Sequence, residues 1–180
     1  MKNLARFLFA SLLLSGLVFS GCNDTKELLD VTFEADYTTD LPIVVTPSTL
    51  KATNGVFTST TTIDPMSNGD VATYANNIQS IEIIEATATI LSVSTNAVMS
   101  ADVDITSGNL PPASWVFTDQ VIEEGAVITL SNENGQLEKL SNILSAKNVF
   151  TVDVAGQTDQ DDMTFTMSVT IRAFITANPL

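Results

Sequence analysis

From Met163 to Thr176 the chain reads MTFTMSVTIRAFIT. Met163, Phe165, Met167, Val169, Ile171, Ala173 and Ile175 alternate with Thr164, Thr166, Ser168, Thr170, Arg172, Phe174 and Thr176. A period of two sets the first group on one face of an extended strand and the second, mostly hydroxyl-bearing, on the other. The spacing predicts one long antiparallel strand, half buried, which needs a second layer to cover its apolar face.

Working back from this strand, Phe150, Val152 and Val154 alternate with Thr151 and Asp153, and Gly156 to Asp162 carries turn composition. A hairpin is predicted there. The same alternation predicts strands over Val31 to Tyr37, Leu41 to Val45 and Gly55 to Ile63, the last two separated by Pro47 and the Asn54-Gly55 turn signal. Ser80 to Val93 is richer in apolar residues and shifts phase at Ile83-Ile84, which marks a bulge in a central strand. Val98 to Ile105, Ser114 to Phe117 and Ala126 to Ser131 complete the set.

Two helical pieces interrupt the strands. Gln136 to Ala146 carries Leu137, Leu140, Ile143 and Leu144 on one stripe, with Asn134 placed to cap its start and Lys147 near its end. A weaker piece, Asp70 to Ile78, takes Asp70 as its cap. The fold expected is therefore all-β: an antiparallel β-sandwich of about eight or nine strands over residues 31–180, with one or two short helices in connections over an edge or end.

Composition narrows function by exclusion. The chain has 180 residues, 44% hydrophobic, with 7 Lys plus Arg against 21 Asp plus Glu, one Cys and no His. A net charge of -14 repels phosphate backbones, and no basic cluster offsets it, so nucleic acid is not an expected partner. Without His, no Ser-His-Asp or Cys-His arrangement can be built, and a single Cys cannot form an internal disulfide.

The first segment stands apart from the fold. Lys2 and Arg6 precede an apolar run from Phe7 to Phe19, and Ser20-Gly21 are small residues before Cys22. That run falls short of the roughly 18 to 20 residues a membrane-spanning helix needs, so it reads as a secretory signal over residues 1–21. Phe19-Ser20-Gly21-Cys22 resembles the lipobox of bacterial lipoproteins, with Phe19 where Leu is commonest. The resemblance implies cleavage before Cys22, a diacylglycerol on its thiol and usually an acyl group on the new amine. One acyl chain holds a bilayer marginally, whereas two or three, at about 0.8 kcal/mol per buried methylene, make attachment permanent.

Residues 22–30 continue with the polar, mostly acidic Asn23-Asp24-Thr25-Lys26-Glu27-Leu28-Leu29-Asp30, which reads as a tether. In general style the chain resembles small surface lipoproteins of the Bacteroidota, in which acidic residues just after the Cys can direct export to the surface. Lys26 interrupts the acidic run here. The resemblance implies an outer-membrane location, with the surface or periplasmic face left open.

Among candidate sites, Asp159, Asp161 and Asp162 cluster in one turn, where carboxylates can converge on calcium or simply be solvated. Asp102 and Asp104, followed by Thr106 and Gly108, fail as a calcium loop because Ser107 and Ala113 stand where Gly and Glu are needed. Glu82 and Glu85 sit among isoleucines, where an edge or bulge position accounts for them without a general acid–base pair. Lys139 with Ser141 or Ser145 lacks the order of a Ser-Lys dyad. For sugar stacking the supply is thin: Trp115 reads as a core ring, Tyr37 and Tyr74 are the other rings with polar handles, and Phe174 breaks the polar face of the last strand, where a loop or helix is expected to cover it.

The expectation is a non-enzymatic module of the cell envelope that binds a protein or glycan or serves as structure, joined to the membrane through Cys22, with no cofactor and no metal site assigned. The alternative is a calcium-stabilised adhesion or glycan-capturing surface lipoprotein.

Overall fold

A computed structural model describes residues 30–48 and 55–178. The signal segment, Cys22 and the tether as far as Leu29 lie outside the described residues, as does Asn54.

Among the described residues nine strands run in the order β1 (Val31–Val44), β2 (Thr46–Pro47), β3 (Gly55–Ile63), β4 (Ile78–Val93), β5 (Ala97–Thr106), β6 (Ala113–Ile122), β7 (Val127–Thr129), β8 (Phe150–Thr158) and β9 (Thr164–Ala177). Between β3 and β4 lie a 3-10 turn, Pro65–Ser67, and the short helix α1, Gly69–Tyr74; between β7 and β8 lies α2, Gln136–Ser145. The strands form two antiparallel sheets, ordered β1-β9-β4-β7 and β2-β3-β8-β5-β6. This is the all-β sandwich expected from the alternation.

The last strand is the spine of the smaller sheet. β9 pairs along its whole length with β1 on one side and with β4 on the other. Phe165, Met167, Val169, Ile171, Ala173 and Ile175 are all buried. They face Phe57, Met99, Val103, Ile105, Val152 and Val154 of the larger sheet in one continuous core. Phe57 meets Phe165 edge to face, with ring centroids 5.4 Å apart. Each large side chain so buried contributes about 1.5–3 kcal/mol.

Several local expectations are corrected. Val31 to Tyr37 and Leu41 to Val45 form one strand, because Ala35, Tyr37, Leu41 and Ile43 share parity and Thr39 fills the place between them. The hairpin between Phe150–Thr158 and the last strand does not form: β8 lies in the larger sheet between β3 and β5, and β9 lies in the smaller one. Alternation fixes which face of a strand is buried but not which strand lies beside it. β6 runs on past Phe117 to Ile122 through an irregularity around Asp119, whose φ is 54°. β4 begins at Ile78, within the stretch expected to be helical. Its expected bulge is present, with the register against β9 slipping between Ile83 and Glu85.

Both helix starts differ from expectation. Asn68, not Asp70, caps α1, its side-chain oxygen accepting from the amides of Asp70 and Val71. The cap position of α2 is Gly135 at φ 72°, and Asn132 reaches over to accept from the Leu137 amide at 3.0 Å. The α2 stripe behaves as its spacing implies: Leu140, Ile143 and Leu144 are buried and Leu137 packs at the margin of the core. Lys147 takes the left-handed conformation just past the helix and donates its ammonium to the Ala75 carbonyl near the end of α1.

Candidate functional site

The acidic turn after β8 is committed to backbone structure. Asp159 accepts the Val98 amide on its carboxylate at 2.8 Å, and its own amide donates to the Val98 carbonyl at 3.0 Å. One carboxylate oxygen thus continues the ladder between β8 and β5. Asp161 and Asp162 stand exposed, with Asp162 at φ 57°, a conformation that Asp tolerates in tight turns. Among the described residues no three His, Cys, Asp or Glu side chains converge as a metal-ligand set. Asp102 and Asp104 are strand residues of β5, and Asp104 lies directly opposite Asp153 of β8.

Of the other candidate carboxylates and hydroxyls, Glu85 and Ser141 have structural partners. Glu82 and Glu85 are exposed, and Glu85 lies 3.6 Å from Arg172, which also meets Asp36 at 3.1 Å across β9. Ser141 donates its hydroxyl to the Ile81 carbonyl and so ties α2 to β4, while Ser145 faces solvent. No dyad with Lys139 forms.

The rings divide between core and surface. Trp115 is buried and donates its indole N–H to the Ser131 carbonyl at 2.7 Å. Tyr74 tilts against Phe33, centroids 5.6 Å apart. Phe174 is 40% exposed, between Glu34 and Glu82 in register; no loop or helix among the described residues covers it as expected. Tyr37 is buried with no hydrogen-bond partner for its hydroxyl, and burial pushes that hydroxyl up from its ordinary 10.0 to about 12.

What strand alternation could not show is a groove between the two sheets. On one flank of the sandwich β1 meets β3: the Thr39 and Thr61 hydroxyls hydrogen-bond at 3.0 Å, and Ser59 donates to the Pro42 carbonyl at 3.0 Å. That flank is stitched shut. On the other flank β6 and β7 are the outer strands of their sheets, and neither pairs with a further strand among the described residues. Between them runs a groove of about 490 Å³, walled by Ser114, Val116 and Gln120 on one side and Val127 and Thr129 on the other, and closed at one end by Glu133 and Gln136. The sequence marks Trp115 as core but gives no sign that its neighbours border an opening, because the two walls belong to different sheets.

No protein-family model matches the chain, and comparison with curated proteins finds no matching relative.

Proposed function

We propose that the chain is a lipid-anchored extracytoplasmic lipoprotein of the outer membrane, acting as a non-catalytic binding or structural module of the cell envelope. The observation that carries this reading is Phe19-Ser20-Gly21-Cys22 at the end of an apolar run, with the chain's one cysteine at the point of cleavage. Acylation of Cys22 gives permanent attachment, and the tether from Asn23 to Asp30 holds the sandwich off the headgroups.

The architecture supports a binding rather than a catalytic role. The carboxylates that a general acid–base mechanism would draw on are strand-surface or turn residues, with Glu85 paired to Arg172 and Asp159 bound to the Val98 amide. A rigid double sheet with an open flank suits display of a contact surface.

Protease accessibility on intact cells tests the reading, with Cys22→Ala as the unanchored control and lysed cells as the digestibility control. Release of the Cys22→Ala protein from the membrane fraction is expected. A protein still membrane-bound after that change overturns the anchor, while digestion before or after lysis assigns the face.

A further inference from the structure

We propose that the groove between β6 and β7 is a strand-addition site that takes an extended, lysine- or arginine-bearing segment of a partner protein. The inference rests on the binding-module reading above, but anchoring stands on Cys22 and strand addition on the groove, so either can fail alone.

The first support is the backbone. The even-numbered residues in and beside β7 direct their amides and carbonyls toward β4: Leu130 donates to the Ala86 carbonyl, and the Ala126 carbonyl accepts from Ile90. The odd-numbered Val127 and Thr129 of β7, and Ser131 just after it, therefore aim theirs outward. The Ser131 carbonyl confirms this, since it accepts the Trp115 indole N–H from across the groove. Trp115 thus ties the two edges at one end, and Val127 and Thr129 line the groove opposite Val116 and Gln120 of β6. An edge of unpaired amides and carbonyls is a template for a further strand.

The second support is the side chains at the rim. Val116 and Val127 are 75% and 61% exposed, two of the three most exposed large apolar residues described, and they stand on opposite walls of the same groove. Neither wall carries Lys or Pro, the residues that commonly guard an edge strand. The β1 edge, by contrast, contains Pro42 and is covered by β3.

Charge selects the occupant. Glu133, in the segment before α2, lines the groove, and Asp119 of β6 and Glu123 and Glu124 in the turn to β7 are exposed. Among the described residues no basic side chain lines it. Pairing β6 with a second copy would bring like charges together on chains that each carry -14, whereas an extended segment with lysines complements the rim.

Trp115, the chain's one tryptophan, lines the groove and serves as reporter. The full chain in non-ionic detergent is titrated with an acetylated peptide of alternating Val and Thr flanked by lysines. Its emission is expected to change saturably with this peptide, and not with a glutamate-flanked version or one N-methylated at alternate amides. Val116→Lys and Val127→Lys are each expected to weaken binding by about tenfold, with Val44→Lys, exposed on the opposite edge, as an unaffected control. No emission change up to about millimolar peptide, weaker than any specific docking site, overturns the proposal. Equal binding of the glutamate or N-methylated peptides overturns it too. So does a dimer in sedimentation that Val116→Lys dissolves, which would assign the edge to a second copy.

Discussion

The indole N–H of Trp115 and the carbonyl of Ser131 meet at 2.7 Å, and this bond links β6 to the segment just after β7 on the flank where no strand pairing joins the sheets among the described residues. Trp115 is at once a core ring and the end wall of the groove. Replacing it with Phe keeps most of the apolar burial but strands the Ser131 carbonyl. A loss of about 1–2 kcal/mol is expected in urea unfolding followed by circular dichroism.

Tyr37 gives the sandwich a dependence on alkaline pH. Its folded value, about 12, lies above the ordinary 10.0, so the folded state holds its proton where the unfolded state has lost it. The stabilisation is complete below pH 10 and declines as pH rises toward 12, by about 2–3 kcal/mol for a shift of this size. Tyr37→Phe removes an unpartnered buried hydroxyl. That variant is expected to be at least as stable at pH 7 and to lose much of the decline between pH 10 and 12, read by denaturant midpoints across that range.

Gly156 occupies a place where β8 and β5 lie too close for a side chain. A Cβ there would stand 2.7 Å from Phe57 Cζ and 2.9 Å from the Ala101 Cα, and would also press on the Ser100 carbonyl. Gly156→Ala is expected to destabilise by about 1–3 kcal/mol despite the better strand propensity of Ala, a difference thermal unfolding detects.

Asp159 and its neighbours separate structure from cation binding. Asp159→Ala removes the acceptor of the Val98 amide and is expected to cost about 1 kcal/mol, while Asp161→Asn leaves stability unchanged. Melting temperature is expected to be the same with chelator and with millimolar calcium. A calcium-dependent rise abolished by Asp161→Asn would be the contrary result.

Arg172 joins β1 and β4 through Asp36 and Glu85, but all three side chains are about half exposed. Solvent screens such pairs, so Arg172→Ala is expected to cost less than about 1 kcal/mol, and that cost should shrink in high salt.

Legibility followed the range of the interaction. The bulge at Ile84 could be read from a phase shift within a dozen residues, and the α2 stripe from spacing within one helix. The caps were harder, because Asn132 reaches the Leu137 amide from upstream and leaves the position before the helix to a glycine. The separation of β8 and β9 into different sheets was not legible at all. Five residues can close a hairpin or cross between sheets, and the difference lies in partners distant in the chain: β1 and β4 for β9, β3 and β5 for β8.

By itself the sequence determined the fold class, the buried face of each strand and the excluded chemistries, since all three follow from residue type and a period of two. The same chain, folded, decided what no local pattern encodes. It drew β1 and β3 together with hydroxyl bonds on one flank and left β6 and β7 apart on the other, and it placed Val116 and Val127 across an open groove. The physical reason is that edges belong to sheets and not to strands: a backbone amide is free only where the topology supplies no neighbour.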